Sequence, residues 1–181
     1  MAAYIALLRG INVSGQKIIP MAALAKMFVK LGFKDAKTFI QSGNVVFSAP
    51  AKDAGKFGKA IAAGIQMEFG FEVPVVIRSL DEMRAALSGN PYGKKQLAEK
   101  ERLYICYLDA APGKGAISEL EAIADDDDEV KVKGMQVYLM IRNGYGDSVF
   151  NNNFVEKKLG VRATTRNLAT SQKLIALAEA L

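Results

Sequence analysis

Histidine is absent from this sequence of 181 residues, and cysteine occurs once. Without imidazole there is no histidine-based triad or dyad and no metal site that depends on that ligand. A single thiol excludes an internal disulfide and thiolate cages, leaving only oxygen-ligand metals. Cys106 lies inside the apolar run Leu103 to Leu108, where a thiol is expected to be a buried, inert core group. Any catalysis therefore falls to Asp, Glu, Lys, Tyr, Ser, Thr or backbone groups. Long apolar runs are missing too, none approaching the roughly 20 residues that cross a bilayer. The N-terminus has no basic segment followed by an apolar stretch and a small-residue cleavage site. The expectation is a cytoplasmic protein with no membrane partner, and no motif calls for a metal or a cofactor.

What is present is ordinary globular material, 50% hydrophobic and 24% charged, with ample residues for a core. The net charge of +5 is unevenly spread. Residues 1 to 100 hold 14 Lys and Arg against 7 Asp and Glu, residues 101 to 150 hold 5 against 10, and residues 151 to 181 hold 5 against 2. The basic ends suit an anionic ligand or nucleic acid, unless their lysines are simply solvated, whereas the middle repels both. The sequence leaves protein partners unknown.

Hydrophobic periodicity divides the chain into two similar runs of elements. A strand from Tyr4 to Arg9 precedes a helix opened by Pro20 and closed at Gly32. Strands Lys37 to Gln41 and Asn44 to Ser48 meet in a tight turn at Ser42-Gly43. A helix from Asp53 to Phe69 places Phe57, Ile61 and Ile65 on one face, and a strand Val73 to Arg78 leads through a capping box, Ser79 with Glu82, into a helix ending near Gly89. The same order returns after a polar segment: strand Arg102 to Leu108, helix around Ser118 to Ala124, strands Glu129 to Lys133 and Gln136 to Ile141, helix Val149 to Leu159, strand Val161 to Thr164, helix Leu168 to Leu181. No residue-level repeat is evident between the halves. The expected fold is α+β, two ferredoxin-like (βαββαβ) plaits packed into one bilobed body, with subdomains at 1–89 and 102–181 and a linker at 90–101. The central strands are apolar on both faces, so the helix-free faces are expected to be covered.

In such a plait the first and third strands are central antiparallel neighbours. "RGIN" (Arg9 to Asn12) should therefore lie beside "QSGN" (Gln41 to Asn44), and "IRNGYGDS" (Ile141 to Ser148) beside "ATTRN" (Ala163 to Asn167). The loop from Arg9 to Met21 offers backbone N–H groups to an anion, but its spacing matches neither a dinucleotide fingerprint nor a Walker loop. In the hairpin, the amides of Gln41 and Asn44 either tie the adjacent loop or contact a ligand. Near the end, capping of the last helix accounts for Asn167 or Thr165, while Arg166 has no evident structural role. The acidic run Asp125 to Glu129 reads as a solvated turn, since it lacks the alternation of a calcium loop, and "PGKG" (Pro112 to Gly115) as a turn and helix start. The third strand, "NVVFS", lacks the aromatics of an RNA-binding plait.

The segments "YIALLRGINVSG", "GFKDAKTFIQSGNVVFS", "FGFEVPVVIRS" and "EKKLGVRATTRN" resemble a mainly bacterial family called domain of unknown function 1697. The resemblance implies two ferredoxin-like α/β subdomains but brings no reaction, substrate or cofactor. Its motifs point to Arg9, Gly10, Asn12 and Gly15, to Gln41, Ser42, Gly43 and Asn44, and to Thr164, Thr165, Arg166 and Asn167. Ser14 stands where the family commonly has a second glycine, and Leu168 where a tryptophan usually follows. The expected function is binding of a small anionic or polar ligand in a groove between the subdomains, with or without enzymatic activity. Arg9 and Arg166 would neutralise it, Asn12, Gln41 and Asn44 orient it, and Ser42, Thr164, Thr165 and Asn167 add polar contacts. The competing readings are electrostatic nucleic-acid binding and a protein-interaction role with purely structural motifs.

Overall fold

The computed structural model describes residues 1–93, 97–124 and 128–181. The chain divides into two compact units, Met1–Met83 with Lys173–Leu181, and Arg84–Gln172. In the first unit, β1 (Ala2–Leu8), α1 (Met21–Lys30), β2 (Lys34–Phe39), β3 (Asn44–Ala49), a 3-10 turn (Ala51–Asp53), α2 (Ala54–Phe69) and β4 (Val75–Ser79) follow one another. Helix α3 (Leu80–Ser88) begins in the first unit and ends in the second. The second unit holds β5 (Arg102–Leu108), α4 (Lys114–Glu121), β6 (Asp128–Lys133), β7 (Gln136–Ile141), α5 (Asn152–Leu159) and β8 (Ala163–Asn167), and α6 (Leu168–Glu179) starts there. The strands form two four-stranded sheets, ordered β2-β3-β1-β4 and β6-β7-β5-β8, with every pairing antiparallel.

Local chemistry explains most element limits. Leu24, Met27 and Phe28 form the buried stripe of α1, and Phe57, Ile61 and Ile65, spaced by four, are the buried stripe of α2. The capping box before α3 is present: the Glu82 N–H donates to Ser79 Oγ at 3.1 Å and the Ser79 N–H to Glu82 Oε2 at 2.7 Å. Asn151 caps α5 by accepting from the Phe154 N–H at 3.0 Å, which starts the helix three residues later than its apolar pattern predicts.

On the helix-covered face of the first sheet, Tyr4, Ala6 and Leu8 join the helices in one core. Phe47 sits at its centre, with ring centroids 4.6 Å from Phe33, 5.4 Å from Phe28 and 5.8 Å from Phe57. Burying each such ring stabilises the fold by about 1.5–3 kcal/mol. Cys106 and Leu108 play the part of Ala6 and Leu8 in the second core, and Cys106 is fully buried as expected. The opposite faces are buried as well, at Ile5, Leu7 and Val46 in one sheet and at Ile105, Tyr107 and Tyr138 in the other.

The two units repeat at the level of single hydrogen bonds. The Leu8 N–H donates to Gly43 O and the Arg9 N–H to Pro74 O; correspondingly the Leu108 N–H donates to Met135 O and the Asp109 N–H to Arg162 O, all at 2.8–3.0 Å. Of the acidic run, Asp125 to Asp127 lie outside the described residues. Asp128 accepts from Ser148 Oγ at 2.6 Å, and Glu129 from Arg142 Nη2 at 2.6 Å. Among the described residues no group of three potential metal ligands occurs, and no helix is long and apolar enough to cross a membrane.

Candidate functional site

After β1 the chain enters an unusual loop. Gly10, Asn12, Ser14, Gly15 and Lys17 all have positive φ, between 47° and 74°. Three are not glycine, and each of these is held in a conformation that costs of order 1–3 kcal/mol. Asn12 fixes this path: its Oδ1 accepts from the Ile19 N–H at 2.8 Å, and its Nδ2 donates to Ile19 O at 3.0 Å and to Gln41 O at 2.9 Å. Lys17 is pinned through Nζ to Glu72 O at 2.6 Å. Gly10 and Val13 to Gln16 remain exposed, and Arg9 is half-buried at the strand end. The loop and the hairpin turn do lie together, as topology predicts.

The hairpin connection is longer than the expected two residues. Phe39 pairs with Asn44, so Ile40 to Gly43 form a four-residue turn with Ile40 at φ 49° and Gly43 at φ 84°. The reason is the Asn44 side chain, fully buried, whose Nδ2 donates to Phe39 O at 3.0 Å and Ser42 Oγ at 3.1 Å, closing the wider turn. A Cβ on Gly43 would stand 2.7 Å from Leu8 Cβ and 2.9 Å from Ile11, so glycine is needed both for φ and for space. The Asn12 and Asn44 amides thus hold the chain itself, while the Gln41 side chain is exposed and, among the described residues, only its backbone carbonyl is bonded.

In the second unit, Thr164 to Asn167 belong to β8, which runs three residues beyond the end expected at Thr164. Strand alternation sends their side chains to opposite faces. Arg166 lies opposite Ile105 and Thr164 opposite Tyr107, and Thr164 Oγ1 accepts from Arg166 Nη1 at 2.9 Å. Thr165 faces α5, its Oγ1 donating to Asn152 Oδ1 at 2.8 Å. Asn167 is the residue that caps α6, accepting from the Thr170 N–H at 2.7 Å. Thr165 therefore does not converge with Arg166. Burial pushes the Arg166 guanidinium down to about 10, an effect partly opposed by Tyr107, Cys106 and Tyr145.

Arg78, which sequence reasoning overlooked, is the counterpart of Arg166. It lies in β4 opposite Ile5, is 3% exposed, and donates from Nη1 to Ile77 O at 2.8 Å, as Arg166 does to Thr165 O at 2.8 Å. Each arginine is followed by a capping residue and a leucine, in "IRSL" and "TRNL". That pairing, with "YIALL" and "YICYL" in the central strands, was the available signal. The sequence also did not foretell a cleft of 550 Å³ at the end of β5, lined among others by Asp109, Glu156, Lys157 and Arg162. Both carboxylates of its lining hold the backbone, Asp109 Oδ1 accepting from the Arg162 N–H and Glu156 Oε1 from the Ala163 N–H.

Element order and sheet order define a mixed α/β protein with two four-stranded antiparallel sheets and six α-helices among the described residues. The chain belongs to the family described as Protein of unknown function (DUF1697), whose model matches residues 1–138. Its fold is similar to that of the conserved bacterial protein SP0830 from Streptococcus pneumoniae, with a TM-score of 0.73, 20% identity and 98% of each chain covered. No curated protein matches the chain.

Proposed function

We propose that each unit is a ferredoxin-like plait and that the first carries a site for a small anionic or polar ligand, built from the Arg9 to Lys17 loop and the Gln41 to Gly43 turn. The strand orders support the plait, because in each sheet the first and third strands of a βαββαβ unit are central neighbours. The site reading rests on one observation, the five left-handed residues within positions 10 to 17. Strained backbone of this kind persists only where its surroundings over-determine it, and it concentrates at ligand clamps. Asn12 and Lys17 supply that constraint here. The result is a rigid, exposed stretch of backbone with Arg9 at its base, suited to an anion through N–H groups and positive charge.

A thermal-shift series with inorganic phosphate, nucleotides, phosphosugars and a short RNA tests this reading. A small anion at 100 times its Kd should stabilise the chain by about 2.7 kcal/mol, and Arg9→Ala should remove the shift. No shift with any compound refutes the site. A shift given only by RNA and lost steeply with salt favours nucleic-acid binding instead. If Arg9→Ala lowers stability while the ligand shift persists, Arg9 is structural.

A further inference from the structure

We propose that the ligand of the first-unit loop is an amphipathic anion, a small anionic head group carried on an alkyl or similarly apolar body. The inference rests on the loop-site reading and adds the second half of the ligand's chemistry. Ile40 carries it. This β-branched residue has φ 49°, where such a side chain is a genuine outlier. It is also 48% exposed, so about half of its apolar surface is left in water. Glycine or asparagine would take the same φ at lower cost, and the Asn44 amide closes the turn through Phe39 O and Ser42 Oγ, without using the side chain at position 40. Neither the turn nor the core calls for isoleucine here. An apolar contact that forms on binding does, since strained residues of this kind collect at ligand clamps.

Two more apolar side chains share the exposure, Val13 at 56% and Ile18 at 55%. Asn12 Nδ2 donates to Ile19 O at 3.0 Å and to Gln41 O at 2.9 Å. One amide thereby holds together the two segments on which Ile18 and Ile40 stand. Charge selects the head group. The loop and turn, residues 9–19 and 40–43, contain Arg9 and Lys17 and no Asp or Glu. Glu72 meets Lys17 through its backbone carbonyl. Apolar side chains beside a cationic backbone loop complement a ligand with an anionic head and an apolar body. A bare inorganic anion would leave the isoleucines in water.

Titration calorimetry on the full chain tests the proposal with methyl phosphate and n-butyl phosphate, which share one head group and differ by three methylenes. Butyl phosphate should bind about tenfold more tightly, as expected when the added methylenes are partly buried. Ile40→Asn keeps a residue that tolerates the left-handed region, so the melting temperature should not fall, while the butyl-to-methyl affinity ratio should drop toward one. Ile18→Thr, which keeps the β-branch, should lower the ratio as well. If methyl phosphate binds as tightly as butyl phosphate, this inference falls and the loop site stands. If neither phosphate binds, the loop site falls and takes this inference with it. A ratio that both variants leave unchanged overturns the role of the isoleucines. Binding of n-butylamine as tight as that of butyl phosphate overturns the anionic head, and binding to phosphatidylserine vesicles with none to butyl phosphate overturns the small ligand in favour of a lipid surface.

Discussion

Ser14 and Gly43 both occupy the left-handed region, at φ 50° and 84°, yet substitution should act oppositely at the two. Ser14 is exposed on the loop and bears the penalty of an L side chain there. Ser14→Gly should raise stability by up to about 1 kcal/mol, the left-handed strain being relieved but offset by the added freedom of the unfolded chain. Gly43 packs against Leu8 and Ile11 with no space for a methyl group. Gly43→Ala adds strain of about 1–2 kcal/mol to an overpacking cost of about 1–3 kcal/mol. Urea unfolding of the two variants beside the parent chain checks both signs. The sequence shows that a glycine suits the turn, whereas the second reason, contact with Leu8 and Ile11, exists only once β1 and β3 have paired.

At the scale of elements, legibility followed the strength of the local pattern. Strands β5 and β7 have the limits that their apolar runs predict, and the box at Ser79 and Glu82 was readable because both partners lie within four residues. β8 was legible only at its start, within the strand expected at Val161 to Thr164, and not over its last three residues, since Ala163 to Asn167 contains no apolar and polar alternation. Its buried Thr164 and Arg166 satisfy each other on a face that a periodicity argument assigns to hydrocarbon. The proximity of "RGIN" and "QSGN" followed from topology alone, but that the Asn12 and Asn44 amides are spent on the chain could not be read before the geometry was known. The repeated arginine, cap and leucine at two strand-to-helix junctions makes a direct prediction. Ser79→Ala and Asn167→Ala should each cost about 1 kcal/mol, by loss of the bonds to the Glu82 and Thr170 N–H groups. Denaturant midpoints for the two single variants measure this, and an unchanged midpoint for either would mean that its junction is held without the cap.

For the whole molecule, stability in alkali depends on groups whose titration differs between folded and unfolded chain. The Tyr92 hydroxyl is buried without a hydrogen-bond partner among the described residues. Burial, with smaller contributions from Glu129 and Glu121 and against the pull of Arg142, raises its pKa from 10.0 to about 12. Between these values the folded chain keeps a proton that the unfolded chain has released, so this contribution is fully present below pH 10.0 and is lost as the pH rises through about 12. Arg166 acts in the opposite sense. Burial pushes its pKa down to about 10, so above about pH 10 the unfolded chain binds more protons and stability rises with pH. Tyr92→Phe removes only the falling contribution. It also removes a buried hydroxyl with no partner, so at neutral pH the variant should be as stable as the parent or more stable by about 1 kcal/mol. Its advantage should then widen from about pH 10 toward pH 12 as the parent loses the Tyr92 contribution. Urea midpoints of both chains across the alkaline range measure the difference. A parallel pair of curves would show that Tyr92 titrates alike in the folded and unfolded chain, and a destabilised variant at neutral pH would show that its hydroxyl has a partner.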